Sequence, residues 1–476
     1  MIHFNEYSAC TSILVGKNAT VDGSTLIGRN EDAKASWPKC FVVHEHHEYR
    51  DNQEFKSTDN GFKMPLPKVR GKYTATPEWT DKEGLFEEDG INEYGVAMSA
   101  TESTYANPRV LGYDPLVKNG IGEEAMVTVV LPYVHSAREA VSRLGNIIEK
   151  YGASENNGVL FSDKDEVWYL EIGSGHQWVA ERIPDDHYAV VANQMAIEEV
   201  DFNNDDYFMW SPQIYDFVSS NRLNPDRSGF NFRHIFGTHD LSDTYYNTPR
   251  VWYGQRMFNP AVKQDPTSQN MPFTRKSETL ISELDAQNLL SSHYQGTQFD
   301  PLGAGDEADR TKFRPVSLAK TQESHVLQIK PNLPIEIGGI HWLAMGVAAQ
   351  STYVPFLEGI TDTPEAYKYH IKRDFDPKSA YWIFKLVGIL VDPHYLEFGD
   401  KLKEVQQTLI EQYEQILKQT DTEASGLNSS ELSQLANEAS TKSAKLAMRS
   451  FKNLGQDLIT NSTDFSPLNY HQDLNL

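Results

Sequence analysis

The sequence predicts an α+β fold, in which antiparallel sheets are combined with helices. Short apolar runs follow one another at about 8–12 residues with turn residues between them, which is typical of antiparallel strands. Helical periodicity is confined to a few segments and does not alternate with the strands, so no βαβ rhythm is present. From residue 400 onward the composition changes to an amphipathic helical pattern. These observations argue against a doubly wound nucleotide-binding sheet.

Two hairpins are predicted in the first hundred residues. Residues 11–16 and 24–28 are short apolar runs on either side of an Asp22-Gly23 turn, and this turn type favours a hairpin. The second hairpin pairs residues 90–92 with 96–99 through a turn that contains Gly95.

A helix and a four-stranded meander are predicted next. Ser136 and Glu139 have the spacing of a capping box, an apolar stripe follows, and Gly152 is a plausible C-cap. The apolar stripe consists of Val141, Leu144, Ile148 and Tyr151. The strands of the meander are predicted at residues 159–162, 167–172, 177–182 and 188–192.

The C-terminal part is predicted to contain two long amphipathic helices. Apolar residues repeat at helical spacing over 402–417 and again over 435–458, on either side of Gly426. We expect these helices to pack on the main domain, with an oligomer contact as the alternative.

Composition excludes several classes of protein. The chain has 476 residues and a formal net charge of −24, which disfavours binding to phosphate backbones and anionic membranes. No run approaches the roughly 18 apolar residues of a membrane helix. The first ten residues lack the basic and apolar regions of a secretory signal, so a cytoplasmic location is expected. The two cysteines, Cys10 and Cys40, cannot form a disulfide framework or a four-thiolate zinc site.

Three local motifs are considered and not favoured. Residues 120–125 fit a G-x-G-x-x-A pattern, but no clear strand precedes them, and two glutamates would repel phosphates at the helix N-terminus. His44 and His46 share one face of a predicted strand, and a surface histidine run is favoured over a metal site. Neither cysteine has the local signature of a papain-type nucleophile.

Cys10 is the candidate nucleophile. In an antiparallel hairpin the end of the second strand lies beside the start of the first, so Arg29 and Asp32 come close to Cys10. A guanidinium beside a thiol favours the thiolate, which is the form that attacks carbonyl carbons. A buried cysteine beside an ion pair is the alternative on these residues alone. Cys40 is expected to pack on a strand like a small apolar residue.

At these residues the sequence resembles the dipeptidase A family of cysteine peptidases. These are N-terminal-nucleophile hydrolases related to the choloylglycine hydrolase and penicillin V acylase group. The resemblance extends in order along the chain to about residue 395. The matching segments are residues 9–16, 22–32, 90–98, 128–131, 167–171, 176–178, 190–194, 246–252, 331–334 and 354–356.

The resemblance implies a four-layer αββα sandwich over residues 10–395, with a helical extension over 396–476. It also implies that a propeptide, residues 1–9, is removed to expose Cys10 as the N-terminal residue. The freed α-amine then acts as the general base, because its pKa near 8 lies close to working pH. No metal and no cofactor are implied, and homo-oligomerisation is expected.

Family roles are carried over to individual residues of this sequence. Arg29 would flank the thiol and Asp32 would hold the α-amine. Asn193 would donate to the oxyanion, and Arg250 would orient the nucleophile region. The acylases have an oxyanion asparagine where this chain has Glu102, and we expect Glu102 to bind the ammonium group of a dipeptide substrate instead.

Three functions are compatible with the sequence. The first is a metal-independent cysteine dipeptidase that uses Cys10 and passes through a thioester. The second is an N-acyl amidase of the bile-salt hydrolase or penicillin V acylase type. The third is a non-enzymatic acidic scaffold in which Cys10 is inert.

Overall fold

The N-terminal hairpin lies at the centre of a seven-stranded sheet, which is the largest sheet in the described part of the chain. The structure is a computed structural model that describes residues 10–368, 373–466 and 468, and the predicted propeptide at residues 1–9 lies outside the described residues. The strands are β1 (Thr11–Val15), β2 (Thr25–Asp32), β3 (Val42–His44), β4 (His47–Glu48), β5 (Gln53–Lys56), β6 (Lys63–Leu66), β7 (Val69–Arg70), β8 (Tyr73–Ala75), β9 (Asp89–Ile91), β10 (Ala97–Ser103), β11 (Asn157–Ser162), β12 (Val167–Ile172), β13 (Trp178–Arg182), β14 (His187–Val191), β15 (Phe208–Trp210), β16 (Thr274–Lys276), β17 (Thr321–Ile329), β18 (Gly339–Met345) and β19 (Val354–Leu357).

Helices follow and separate these strands. They are α1 (Pro108–Leu111), α2 (Glu123–Val130), α3 (Ala137–Tyr151), α4 (Ile214–Ser220), α5 (Phe232–Phe236), α6 (Asp243–Tyr246), α7 (Thr248–Phe258), α8 (Glu283–Leu290), α9 (Glu307–Arg310), α10 (Ile335–Gly338), α11 (Glu365–Lys368), α12 (Ala380–Val391), α13 (Tyr395–Glu423) and α14 (Ser429–Asn461). Within the described part of the chain, no helix is both long and apolar enough to cross a membrane.

Two antiparallel sheets organise the molecule. In the described residues, seven strands pair in the order β16-β14-β1-β2-β17-β18-β19, and six pair in the order β15-β13-β12-β11-β10-β9. Both sheets are antiparallel at every pairing of these strands. The predicted α+β class is therefore confirmed.

The predicted meander is wrong in its last strand. Strands β11, β12 and β13 are neighbours in the six-stranded sheet, as expected, but β14 pairs with β1 in the other sheet. The apolar alternation of β14 is the same in either position, and only its long-range partner differs. Because Ser12 is paired with Val191, the end of β14 lies beside the start of β1.

Side chains of the two sheets contribute to three hydrophobic clusters. Alternate residues of β1 point to opposite faces, so Ile13 belongs to one cluster and Leu14 to another. The cluster around Leu14 contains residues of both sheets, because Leu14 and Ile27 of the seven-stranded sheet pack with Leu160 and Tyr169 of the six-stranded sheet. The first cluster joins the seven-stranded sheet to α7, α8 and α12–α14, and the remaining one joins the six-stranded sheet to α2 and α3.

Helix α3 begins and ends close to its predicted bounds. Ser136 is the N-cap, and its side chain accepts a hydrogen bond from the backbone N–H of Glu139. The second half of the predicted capping box is absent, because Glu139 Oε2 accepts from the N–H of His135 at 2.7 Å. Gly152 follows the helix with φ of 75°, a conformation that favours glycine.

The C-terminal helices pack against the larger sheet. Leu409 of α13 and Phe451 of α14 belong to the same buried cluster as Ile13. Gly426 lies between the two helices with φ of 82°. The hydroxyl of Ser440 accepts a hydrogen bond from the backbone of Leu357 in β19 at 3.0 Å.

Candidate active site

Cys10 and Arg29 meet at the open end of the β1–β2 hairpin. The register pairs Ser12 with Arg29, which places the Arg29 side chain beside the residues that precede β1. Arg29 Nη1 donates to Cys10 Sγ at 3.1 Å, and both side chains are fully buried. The hairpin therefore brings a guanidinium to the thiol, as the chain geometry predicts.

The Arg29 guanidinium is held on all sides. Besides the sulfur, its acceptors are Ser99 Oγ, the carbonyl oxygens of Ala100 and Thr101, and Glu88 Oε2. The ion pair with Glu88 has an N–O distance of 2.5 Å and is buried. All five guanidinium hydrogens are thus engaged, so the group is fixed relative to Cys10.

The protonation state of Cys10 differs from the sequence-based expectation. Burial raises the pKa of the Cys10 thiol well above its usual value, whereas the charge of Arg29 lowers it. Glu102, Glu123 and Asp32 raise this pKa further. Arg29 acts in the predicted direction, but burial outweighs it because a thiolate loses its solvation there. Cys10 is therefore a thiol in this state of the chain.

Asp32 lies at the end of β2 and is bound by two side chains. Its Oδ1 accepts from Thr321 Oγ1 at 2.5 Å, and its Oδ2 accepts from Arg314 Nη2. Arg314 Nη1 also lies 3.4 Å from Thr11 Oγ1. Asp32 is thus fixed close to the start of β1, and Arg314 is a member of the site that the sequence analysis missed.

Asn193 and Arg250 approach Cys10 from the other side of β1. Asn193 follows β14, and its Oδ1 accepts from Arg250 Nη2 at 2.9 Å. Every Arg250 donor is used, with acceptors on Tyr246 O, Cys10 O, Thr11 Oγ1, Asn193 Oδ1 and Asn247 Oδ1. Arg250 therefore clamps the backbone of Cys10 and has no further donor to offer.

Glu102 is buried in the same cluster. It lies in β10 beyond a bulge that follows Ala100, and its Oε2 accepts from Ser12 Oγ at 2.6 Å. Its Oε1 has no hydrogen-bond partner among the described residues. Burial raises the pKa of Glu102 to about 7, against the opposing effects of Arg250 and Ser12. Glu102 is therefore partly protonated near neutral pH.

This raised pKa predicts a pH-dependent effect of Glu102→Gln on stability. The folded-state pKa lies above the unfolded value, so the carboxyl favours folding fully at low pH, and this contribution is lost as pH rises through 7. We expect the free energy of unfolding of the variant, relative to the parent, to rise by about 2–3 kcal/mol between pH 5 and pH 8. Urea unfolding at both pH values measures it, and a constant difference would contradict the pKa of Glu102.

Comparison with known proteins identifies the family. The profile of peptidase family C69 matches residues 9–408, which include every residue of this cluster. The chain belongs to peptidase family C69. It is 50% identical over 411 residues to a probable dipeptidase of Latilactobacillus sakei, covering 85% of this chain and 86% of that one. It is 39% identical over 429 residues to dipeptidase A of Lactobacillus helveticus, covering 89% and 90%.

Membership in family C69 confirms the resemblance and the prediction of a peptide hydrolase. Probable dipeptidase B of Lactococcus lactis is a further relative, 42% identical over 420 residues, covering 87% of each chain. The non-enzymatic scaffold is therefore set aside.

A cavity lined mainly by acidic residues adjoins Arg29 in this C69 peptidase. Its volume is about 250 Å³, and its inner wall includes Glu31, Glu88 and Glu123. Glu123 Oε1 is 4.0 Å from Arg29 Nη1. Burial and the neighbouring Glu88 raise the pKa of Glu31 and of Glu123 well above the usual value, which favours the neutral form of both carboxyl groups in this wall. Glu123 belongs to the motif at residues 120–125, where an acidic residue disfavours a nucleotide phosphate. The same side chain contributes to the wall of this cavity.

The other cysteine and the histidine run do not join this C69 site. Cys40 is half-buried ahead of β3, and its Sγ lies 3.5 Å from the Pro77 carbonyl oxygen. Burial raises the pKa of Cys40 to about 11. His44 and His46 contact different carboxylates, on Glu87 and Glu93.

Proposed function

We propose that this C69 peptidase is a dipeptidase whose nucleophile is Cys10. The observation that carries the proposal is the contact of Cys10 Sγ with Arg29 at 3.1 Å, inside a cluster of buried polar residues. Two relatives are named as a probable dipeptidase and as dipeptidase A, and these names support dipeptides as the substrate class.

The general base in this proposal is the α-amine of Cys10 itself. Residues 1–9 precede Cys10 in the sequence, and its nitrogen is then an amide that cannot accept a proton. Removal of a propeptide at residues 1–9 creates an amine with an unperturbed pKa of about 8 beside the thiol. Asp32 holds this ammonium group during the reaction, and its position at the end of β2 supports that role. The raised pKa of the Cys10 thiol then suits a precursor that is inactive until cleavage.

The chemistry is a two-step acyl transfer. The α-amine of Cys10 takes the thiol proton as the sulfur attacks the peptide carbonyl carbon. The same proton then passes to the nitrogen of the substrate's leaving group when the C–N bond breaks. Water then attacks the thioester carbonyl carbon while the α-amine of Cys10 takes its proton. The C–S bond breaks, the acid product leaves, and the proton returns to the Cys10 sulfur. Arg250 holds the Cys10 carbonyl oxygen throughout, so the nucleophile is not displaced. No metal takes part in the proposed reaction, and activity is expected to be insensitive to chelators.

The fold that goes with this mechanism is the αββα sandwich of N-terminal-nucleophile hydrolases. Its support is the cluster of apolar residues shared by the two sheets and the helices in the clusters on their other faces. In the proposed arrangement, residues 10–395 form the hydrolase domain and residues 396–476 the helical extension.

Asn193→Ala is expected to lower kcat by about 10²–10³-fold, because an oxyanion donor is lost. One Asn193 N–H donates to the Ser103 carbonyl oxygen at 3.0 Å, and the second has no partner among the described residues. Steady-state kinetics on a dipeptide measure the effect. Asn259→Ala is the matched control, since Asn259 is also buried and contacts Tyr188 and Lys276 instead. Equal losses in both variants would contradict the oxyanion role.

Glu102→Gln is expected to reduce kcat/KM for a free dipeptide more than for its N-acetylated form. The Oε1 atom of Glu102, which has no hydrogen-bond partner among the described residues, is proposed to bind the substrate ammonium group. An acetylated substrate has no ammonium group, so it makes no such contact that the variant could remove. Hydrolysis of the same dipeptide with and without the acetyl group, at one pH, measures the ratio. Equal losses on the two substrates would contradict this role.

An N-acyl amidase is the alternative function on the same chemistry. Release of amino acids from dipeptides, with none from conjugated bile salts or penicillin V, supports the dipeptidase. The reverse result would support the amidase.

A further inference from the structure

A chain of hydrogen bonds continues behind Arg29, away from Cys10. Arg29 Nε donates to Ser99 Oγ at 3.0 Å, and His325 Nε2 lies 2.9 Å from the same oxygen. All three side chains are fully buried. The Cys10 thiol is therefore connected to a buried histidine through one guanidinium and one hydroxyl.

His325 is held between two carboxylates on its other side. Its Nδ1 lies 2.5 Å from Asp89 Oδ2 and 3.0 Å from Glu323 Oε1. Burial lowers the pKa of His325, but Asp89 and Glu323 outweigh it and raise the pKa to about 9. His341 lies 3.3 Å from Asp89, and burial lowers its pKa to about 4, so it stays neutral. His325 is therefore the cation of this cluster.

The cluster joins the two sheets at the site. Asp89 and Ser99 belong to β9 and β10 of the six-stranded sheet, whereas His325 belongs to β17 of the seven-stranded sheet. Arg29 lies directly opposite His325 in the register of β2 and β17. Contacts from His325 to Ser99 and Asp89 thus fix how the strand that carries Arg29 lies against β10.

A metal ion is a poorer occupant of this cluster than a proton. Asp89, Glu323 and His325 offer ligand atoms that lie within 4.8 Å of one another. However, two ligands at about 2.0 Å from a tetrahedral zinc are about 3.3 Å apart. The Asp89–His325 separation of 2.5 Å is a hydrogen-bond distance instead.

We propose that His325 is a positioning residue that holds Arg29 against Cys10 through the Ser99 hydroxyl. The proposal rests on the proposed function, because it assigns the network to the Cys10 reaction. The imidazolium fixes Ser99, Ser99 accepts the Arg29 Nε–H, and the guanidinium is then aimed with Nη1 at the sulfur. Without Ser99 the Nε–H is buried and unpaired, and the guanidinium turns to find another acceptor.

The network has a defined pH dependence. The charged groups that face His325 are Asp89 on β9, Glu323 on its own strand and Arg29 on β2, and the neutral His341 faces it from β18. A histidine whose folded pKa is raised keeps its charge at neutral pH, and the contribution is lost as pH rises through about 9. The positioning effect is therefore expected to be complete at pH 7 and to fail in the alkaline range.

Ser99→Ala and His325→Gln test the proposal in the processed enzyme. We expect each variant to lower kcat by about 10–100-fold with little change in KM, as for other supporting groups behind a reactive one. The pH at which Cys10 is half-alkylated by iodoacetamide should also move upward in both variants. His293→Gln is the matched control, because His293 is a buried histidine paired with Asp300 at 2.7 Å elsewhere in the chain. It should change neither readout.

Several outcomes would overturn the proposal. Parental kcat and a parental alkylation profile in Ser99→Ala would do so, and this conservative variant carries the test if His325→Gln does not fold. Stoichiometric zinc or manganese in the purified enzyme, absent from His325→Gln, would show that this cluster binds a metal ion and not a proton. Cys10→Ala assayed in parallel separates the two levels: if it is inactive while Ser99→Ala is fully active, only the positioning role fails.

Discussion

Replacing Cys10 by alanine is expected to lower kcat for dipeptide hydrolysis by about 10⁴–10⁶-fold. In the proposed mechanism the sulfur forms the covalent intermediate, and the neighbouring hydroxyl groups of Thr11 and Ser12 are hydrogen-bonded to Arg250 and Glu102. Arg29, whose Nη1 contacts the sulfur at 3.1 Å, has no acyl-transfer chemistry of its own. The fold should be preserved, because alanine fills most of the volume of a buried cysteine. Dipeptide turnover and thermal unfolding of the same preparation measure both effects.

Cys40→Ala is the matched control for this experiment. Cys40 is the other cysteine of the chain, and its sulfur contacts only backbone carbonyl oxygens, of Pro77 and Glu78, among the described residues. We expect turnover within a factor of about two of the parent, as for a residue with a packing role. If Cys40→Ala were inactive and Cys10→Ala active, the assignment of the nucleophile would be wrong.

Arg29→Lys is expected to have the second largest effect, on activity and stability together. Lysine keeps the charge, but it cannot reproduce five donors in a planar fork. Glu88 and the carbonyl oxygens of Ala100 and Thr101 would lose partners in a buried environment. We expect kcat to fall by about 10²–10³-fold and the free energy of unfolding to fall by about 3 kcal/mol.

Arg233→Lys separates the site from the general cost of altering a buried arginine. Arg233 is also buried, and it donates to the backbone carbonyl oxygens of Gln269 and Met271. Its variant should lose stability while kcat stays close to the parental value. A similar loss of kcat in Arg29→Lys and Arg233→Lys, measured well below both unfolding temperatures, would argue against a specific role for Arg29.

Local patterns predicted some elements of this fold correctly, among them the β1–β2 and β9–β10 hairpins, α3 and the two long C-terminal helices, whereas β5–β8 and β15–β19 were not predicted. The Asp22-Gly23 turn requires a backbone with positive φ, and Gly23 has φ of 77°. Turn chemistry and strand alternation act over neighbouring residues, so the sequence alone reveals them. The same holds for α3, whose cap residues lie at both ends of its apolar stripe.

Local patterns do not predict which strands pair or which side chains meet when they are far apart in the sequence. Strand β14 alternates like its predecessors, yet it pairs with β1 in the other sheet, and nothing local distinguishes the two choices. Arg314 contacts Asp32 from 282 residues away along the chain. The geometry of the first hairpin predicts Arg29 and Asp32 beside Cys10. Asn193 and Arg250 are predicted only by the family resemblance, because they lie far from Cys10 in the sequence.

Burial was the physical quantity that the sequence argument lacked. A guanidinium beside Cys10 indicates a thiolate only if the sulfur remains solvated, and the structure buries it completely. Burial likewise raises the pKa of Glu102 to about 7, which changes a carboxylate into a partly protonated acid. His325 looks like one of many histidines in the sequence, and only the folded structure sets it between Asp89 and Glu323.

Intact mass and N-terminal sequencing of the catalytically active enzyme test whether Cys10 acts as an N-terminal nucleophile. We expect Cys10 to be the first residue of every active molecule, because only then does it carry the free amine that serves as base. Molecules that retain residues 1–9 should be inactive towards dipeptides. Full dipeptidase activity in a preparation whose chains all retain residues 1–9 would contradict the N-terminal-nucleophile mechanism.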